Sequence, residues 1–297
     1  MLLDVLLSGQ LLFAALVLGF LYALIALGLN LVYGTLRLLN IAHGDVLMLG
    51  AYAAYWGFTL AGIAPLASAV IALGLGAVLG AAAYQGLFRR QLAQPALAER
   101  LEANSLLLFF GVSIIVQNLT ALAFTASPRA YPRFTAVYHL GEVAMSAERL
   151  LTLVVAAAFC FAAVLFQRFH RDGMALKALI QNRAAAAVVG IPIERVQRLG
   201  FCAGFGLAGL AGALVSMTEP VSPFMGFPFT IAAFVVIILG GLGNLGGGIL
   251  AGLLLGFVQI YGVALTSPNA GAILLYGVFV AILLLRPQGL FGGRRFT

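Results

Sequence analysis

Residues 22–52 read "YALIALGLNLVYGTLRLLNIAHGDVLMLGAY", and this stretch decides the class of fold. Most of it is as apolar as the interior of a bilayer, which a helix of about 20 residues can cross. Asn40, His43 and Asp45 nevertheless fall close together in the same stretch. Because polar side chains in a membrane segment are costly and often functional, this interruption is the first candidate site.

The composition carries the same signal along the whole chain. Of the 297 residues, 63% are hydrophobic and 8% are charged, and the mean hydropathy is +1.11. The apolar residues form continuous runs and do not alternate, which favours helices over a β-barrel. We therefore predict an all-α, polytopic membrane protein with a single transmembrane domain over residues 1–297. The first segment lacks a basic n-region and a cleavage site, so we expect it to be retained.

Nine apolar segments are visible, and eight to nine of them are predicted to cross the membrane, because some can be half-helices or re-entrant pieces. They lie near residues 9–34, 41–62, 65–88, 104–126, 148–168, 196–217, 228–246, 248–265 and 270–286.

Clusters of arginine indicate the orientation of these segments. Most of the basic residues lie in 89–100, 168–198 and 286–295, and the net charge is +7. Since Lys and Arg are enriched in cytoplasmic loops, all three clusters and the C-terminus are predicted to be cytoplasmic. The N-terminus and the loop 127–147 then lie outside. The basic excess is explained in this way, and no nucleic-acid partner is expected.

Small residues and chain breaks suggest how the segments pack. Glycine and alanine recur three and four residues apart in 203–216 and 247–256, a spacing that lets transmembrane helices approach closely. Residues 28–50 and 234–256 both run apolar, break at polar or glycine residues and resume apolar. Two interrupted segments of this kind point to a transport pathway.

Motifs for chemistry are absent from the sequence. It contains no GxxxxGK[ST] phosphate loop, no HExxH, no GxSxG and no Cys/His cluster, which are the signatures of nucleotide, metalloprotease, hydrolase and zinc sites. We expect no catalytic residue, no metal and no cofactor in this chain, and we expect any ATP hydrolysis to take place on another subunit.

Four patches resemble the membrane permeases of ABC importers for branched-chain amino acids, most closely the LivH type. They are the stretch 22–52 with its Asn-x-Ala-His-Gly, "GVSIIVQNL" at 111–119, "NRAAAAVVGIPIERVQRLGF" at 182–201, and "VVIILGGLGNLGGGILAGLLLG" at 235–256 followed by "LLLRPQGLFG" at 283–292. The chain departs from the family's pattern at Gln181–Arg183, where an acidic residue is frequent, at the Asn244 turn, and at Gln259, where Glu is frequent.

The resemblance implies a fold of the branched-chain amino acid and ribose permease class, in the bacterial inner membrane and surrounded by lipid. It also implies four kinds of partner: a second permease subunit, two cytoplasmic ATPase subunits, a periplasmic solute-binding protein, and an amino acid as the substrate.

Asn40, His43 and Asp45 allow two interpretations. In the preferred one, Asn40 caps the second helix and Asp45 lies in its first turn, where an acid complements the helix dipole. In the other, the three residues form a gate or contact the substrate. Apart from Asp45, no acidic residue is left for a central amine site.

Other polar residues in apolar segments are candidates for the translocation pathway. Ser113 and Gln117 are four residues apart and share one helix face. Hydrogen bonding between helices is the alternative role for this set. The further candidates are Asn30, Tyr33, Asn118 and Asn244.

The cytoplasmic loop of about 169–198 is predicted to contact an ATPase. Its alanine-rich part favours one helix over 174–189, which ends at Gly190 with Pro192 close behind. A simple interfacial helix is the alternative. The coupling candidates are Gln181, Asn182, Arg183, Ala186, Gly190, Ile191 and Pro192.

Three other functions are compatible with parts of the sequence. The first is a permease of the same fold for another small solute, such as urea or short amides. The second is a proton-coupled transporter that uses His43 and Asp45. The third is an intramembrane enzyme with the same pair as acid and base.

Overall fold

The computed structural model describes residues 7–92, 101–131, 136–141, 143–267, 270–286 and 289–290. Helices dominate, as predicted, and each of the nine apolar segments contains one of the long helices. In chain order, the first helices are α1 (Gly9–Leu36), α2 (His43–Ala61), α3 (Pro65–Ala83), a π-helical turn (Tyr84–Phe88), α4 (Arg89–Leu92) and α5 (Leu101–Phe124). The later ones are α6 (Ala147–Phe169), α7 (Arg171–Gln181), α8 (Arg183–Val188), α9 (Ile193–Thr218), α10 (Gly226–Gly240), α11 (Leu245–Leu265) and α12 (Ala270–Leu285).

Within the described residues, six helices are long and apolar enough to cross a membrane. They are Gly9–Leu36, Pro65–Leu92, Asn104–Phe124, Ala147–Phe169, Ile193–Thr218 and Leu245–Leu265. Gly226–Gly240 and the apolar part of α12 are shorter than this.

A small β-hairpin is the one regular element of the described residues that the all-α prediction omits. Strands β1 (Val137–Leu140) and β2 (Val143–Ser146) pair antiparallel in the loop before α6. The Gln10 side chain donates to Ala144 O and accepts from Ala144 N, both at 3.0 Å, and thus binds β2 in the manner of a third strand. The hairpin therefore lies beside the start of α1.

Helix α9 is the centre of the bundle and packs on α1, α2 and α3. Glycines make these crossings close: a β-carbon on Gly204 would meet Gly28, one on Gly209 would meet Ala72, and one on Gly212 would meet Leu47. The predicted role of the 203–216 glycines in close packing is confirmed. Gly252 of the other glycine-rich run approaches the α1 backbone at Ala23 in the same way.

The bundle has two distinct ends. At one end, which we name the coupling end, Arg89 and Glu194 form an ion pair of 2.6 Å, and Leu290 N donates to Leu239 O at 2.7 Å. At the other, the hairpin end, Arg129 pairs its backbone with Val221. Helices α7 and α8 directly precede α9, whose start carries Glu194, so they lie at the coupling end. Leu290, after α12, lies at the same end.

The two interrupted segments, 28–50 and 234–256, are each interrupted between two helices in the structure as well. The first runs from α1 through residues 37–42 into α2, and the second from α10 through residues 241–244 into α11. Arg37 ends α1 in the left-handed conformation, and Leu38 and Asn40 are fully buried behind it. The chain after α1 thus turns back into the bundle before α2 begins.

Candidate translocation and coupling sites

Helix α2 begins inside the bundle, against the middle of α1. The His43 Nε2 atom lies 3.1 Å from the carbonyl oxygen of Ile25. The ring fits there because Gly28 has no side chain, and a β-carbon on Gly28 would lie 3.2 Å from the ring. The first residue of α2 is therefore held at the depth of Ile25, well away from either end of α1.

The start of α2 is capped by a side chain from another helix. Ala42 occupies the N-cap position and offers no side-chain bond, while the Gly44 N–H donates to the Thr230 hydroxyl of α10 at 2.8 Å. The prediction that Asn40 caps this helix is wrong, because Asn40 lies two residues before the N-cap. Asp45 does lie in the first turn, as predicted.

The side-chain amide of Asn40 is buried without hydrogen-bond partners. Its side chain is 0% exposed, and both its amide nitrogen and its amide oxygen lack a partner. Such groups cost roughly 1–3 kcal/mol each when left unsatisfied. In this conformation the Asn40 side chain therefore contributes no hydrogen bond to the stability of the bundle.

Asp45 bonds to α5. Gln117 Nε2 donates to Asp45 Oδ1 at 2.9 Å and to Ser113 Oγ at 3.0 Å, so the two α5 residues share a face, as predicted. His43 bonds to α1 instead, and its Nδ1 atom has no partner. His43 and Asp45 thus lack the mutual contact that an acid–base pair needs.

The remaining pathway candidates fall into separate groups. Asn30 accepts from Gly243 N at 2.8 Å and donates to Asn244 O at 3.1 Å, which joins α1 to the break before α11. Asn244 caps α11 through Gly247 N. Tyr33 is half-buried one turn after Asn30, whereas Asn118 is exposed and bonds within α5 to Ile114 O.

The coupling loop contains two short helices instead of the predicted single helix over 174–189. Asn182 has an extended backbone between α7 and α8, and its side chain accepts from Ala185 N at 3.0 Å. Asparagine is a good N-cap because its side chain satisfies an unpaired N–H of the first turn. It therefore starts a new helix where alanine propensity alone predicts continuity.

Gly190 ends α8 as predicted. Its φ is +80°, its N–H bonds to Ala187 O, and the Ile191 N–H bonds to Ala186 O; this is the Schellman arrangement of a helix end. Pro192 then occupies the N-cap position of α9.

Helix α8 is exposed apart from Ala186, which is buried. Gln181, Asn182 and Arg183 are exposed or nearly so, and Val188 and Val189 beside them are 87% and 72% exposed. The predicted coupling residues thus lie on the outer surface, except for Ala186, which is buried, and Ile191, which is half-buried against the core.

A cleft lies elsewhere, toward the hairpin end, with a volume of about 510 Å³. None of the predicted site residues lines it. Its walls are formed by Ala14, Val17, Leu18, Leu21, Tyr22, Arg149, Thr218, Glu219, Met225, Pro228, Phe229, Gln259 and Ile260. Although Glu219 is exposed at the surface, the protein around its carboxyl displaces water and raises its pKa. The sequence analysis did not single out Glu219; the signal that could have found it is an acidic residue directly after the glycine-rich helix.

These features define a class: a polytopic membrane permease with interrupted helices in its core and a short exposed helical pair at one end. Residues 11–283 match the family described as branched-chain amino acid transport system, permease component. The chain belongs to this family.

Relatives support the same assignment. The high-affinity branched-chain amino acid transport system permease protein LivH of Escherichia coli (strain K12) is 30% identical over 294 residues, which cover 95% of each chain. BraD of Pseudomonas aeruginosa, of the same description, is 31% identical over 284 residues and 92% of each chain. A probable LivH of Methanocaldococcus jannaschii is 26% identical and covers 92% of this chain and 89% of its own length. No solved structure matches the chain significantly.

Proposed function

We propose that this chain is the permease subunit of an ABC importer that moves branched-chain amino acids across the inner membrane. Membership of the permease family supports the transport role, and the relatives named for branched-chain amino acid transport support the substrate. The chain acts with a second permease, two ATPase subunits and a periplasmic binding protein. It is not itself an enzyme.

The observation that carries this proposal is the α7–α8 pair. It projects from the coupling end, its α8 residues are exposed, and its valines are apolar. A short rigid helix that presents Val188 and Val189 to water fits a groove on a soluble partner, since exposed apolar patches mark interaction sites. Arg195 pairs with Asp172 at 3.3 Å and links α7 to the first turn of α9. The α7–α8 pair therefore lies where its movement reaches the central helix.

The membrane arrangement follows from the same assignment. Eight to nine helices enter the membrane, and α2 and α10 begin within it. The coupling end faces the cytoplasm, as the positive-inside rule requires for Arg89, Arg183 and Arg195, and the C-terminus is cytoplasmic. The hairpin end faces the binding protein.

The partnerless amide of Asn40 supports a gating role for residues 37–43. In another state of the cycle this segment moves and exposes the Asn40 amide and the His43 Nδ1 atom to water in the pathway. Asp45 with Ser113 and Gln117, Asn30 with Asn244, Tyr33, and Asn118 remain pathway candidates.

Gly190 provides the test of coupling. Nothing lies within 4 Å of a β-carbon built there, so Gly190→Arg has room, but its left-handed backbone disfavours other residues by about 1 kcal/mol. We expect Gly190→Arg to insert and to pair with the second permease, while the ATPase recovered by co-purification falls at least about fivefold and uptake stops, because an interface contact worth about 1 kcal/mol or more is lost. Gly190→Asn is the matched control, because Asn tolerates this conformation, and it should retain most of the ATPase.

Full ATPase recovery and full ligand-stimulated hydrolysis with Gly190→Arg would show that α8 is not the coupling element. Residues 89–100 would then become the better candidate. Only 89–92 of that stretch belong to the described residues.

A further inference from the structure

The cleft near the hairpin end combines an aliphatic wall with two opposite charges. Leu18 and Leu21 of α1 and Phe229 of α10 line it, and Glu219 and Arg149 contribute the charged groups. The two charges come from different parts of the chain, the end of α9 and the start of α6. An acid and a base beside an apolar wall match the ammonium, the carboxylate and the side chain of an apolar amino acid.

The polar lining argues against a surface that merely contacts lipid. Tyr22 is 6% exposed, and its hydroxyl donates to Gln259 Oε1 at 2.7 Å, which closes the inner part of the cleft. A charged or polar group that faces hydrocarbon is strongly disfavoured, so such groups face water or protein. The cleft is therefore expected to be filled with water or a polar ligand when the protein is in a membrane.

The dimensions also suit a small solute. Ligand pockets commonly measure about 300–1,000 Å³, and this cleft of about 510 Å³ has an open side. A transport site must release its ligand readily, and an open cleft with one charge for each end of a zwitterion meets that requirement.

We propose that this cleft is a transient binding site for the zwitterionic amino acid, in which Glu219 receives the α-ammonium group and Arg149 the α-carboxylate. The side chain of the amino acid lies against Leu18, Leu21 and Phe229, and the Tyr22–Gln259 pair forms the floor. This site rests on the proposed function, since the amino acid must be delivered by the importer. It is separate from Asn40, His43 and Asp45, none of which lines the cleft.

The test uses the complete importer in proteoliposomes, with its ATPases and its binding protein loaded with leucine. Glu219→Gln and Arg149→Gln each remove one charge, and each is expected to lower leucine uptake about tenfold or more, the effect of losing one charge-assisted hydrogen bond. ATP hydrolysis stimulated by the loaded binding protein should stay within about twofold of wild type. Glu148→Gln and Arg168→Gln, on the same helix α6 but outside the cleft, are the matched controls and should transport normally.

A second variant tests the apolar wall by its effect on selectivity. Leu18→Phe narrows the cleft and should lower the ratio of leucine to valine uptake about threefold or more, because pocket size discriminates ligands that differ by a methylene group. A merely structural role for Leu18 would slow both amino acids equally.

Three results would overturn the proposal: wild-type uptake by both charge variants, a loss of the second permease on co-purification that parallels the loss of uptake, or a matching loss of stimulated ATP hydrolysis. The second result would show that the partner chain fills the cleft, and the third that these residues act in coupling. Failure of the proposed function looks different, because wild-type proteoliposomes would then show neither stimulated hydrolysis nor uptake.

Discussion

At the scale of single residues, substitutions of the buried Asp45 distinguish a structural role of its carboxyl group from a role in transport. Its Oδ1 atom accepts from Gln117, and an asparagine carbonyl can accept the same bond. We expect Asp45→Asn to keep leucine uptake within about twofold of wild type. Asp45→Leu leaves the half-buried Gln117 amide without this partner, which costs about 1–3 kcal/mol and should lower the midpoint of thermal unfolding in detergent.

Uptake and thermal unfolding of the two Asp45 variants should be measured on the same preparations. An Asp45→Asn chain that folds at wild-type temperature but does not transport would contradict the structural role. It would favour direct participation of the carboxylate in gating.

At the scale of elements, close helix crossings depend on which face a glycine occupies. On α3, a β-carbon at Gly76 would clash with the Phe205 carbonyl of α9, whereas a β-carbon at Gly74 meets nothing within 4 Å. Gly76→Ala must push two backbones apart and should destabilise the bundle by about 1–3 kcal/mol. Gly74→Ala should be neutral or stabilising by up to about 1 kcal/mol, because alanine is the better helix former.

Thermal unfolding followed by size-exclusion chromatography in detergent compares these two variants directly. Equal effects from Gly76→Ala and Gly74→Ala would mean that the α3–α9 crossing is looser than the close approach at Gly76 indicates. Since both residues lie on one helix, two positions apart, the comparison removes differences in insertion.

At the scale of the whole molecule, the proposed site in the cleft is expected to make import sensitive to external pH. The protein around the Glu219 carboxyl displaces water and raises its pKa, and in the proposed site the ammonium group of the substrate requires the ionised carboxylate. Uptake should therefore fall as external pH falls through this raised pKa, starting at a higher pH than an ordinary glutamate, with pKa about 4.3, allows. Tyr22 and Arg149 are the other titratable groups lining the cleft.

The pH profile of leucine uptake by wild type and Glu219→Gln provides the measurement. The residual uptake of Glu219→Gln should lack this acid limb. An identical acid limb in both chains would assign the pH dependence to the binding protein or another subunit.

The sequence alone determined the membrane class, the nine helical segments and the family. These follow from local properties: continuous apolar runs, the left-handed stop at Gly190, and motifs that remain contiguous in the chain. The helix break at Asn182 also has a local cause, because asparagine is a good N-cap. The high helix propensity of the alanines around it nevertheless favoured the prediction of one continuous helix.

Only the tertiary structure decided which polar groups meet. Thr230 caps α2 from 186 residues away, and Asn30 reaches Gly243 over 213 residues, so no spacing in the sequence reveals either bond. Glu219 at the end of α9, Arg149 at the start of α6 and Gln259 within α11 line one cleft because these three helices pack against α1. The reason is physical: in a membrane a polar side chain must find its partner on whichever helix packs beside it, and packing is set by the small residues that let backbones approach.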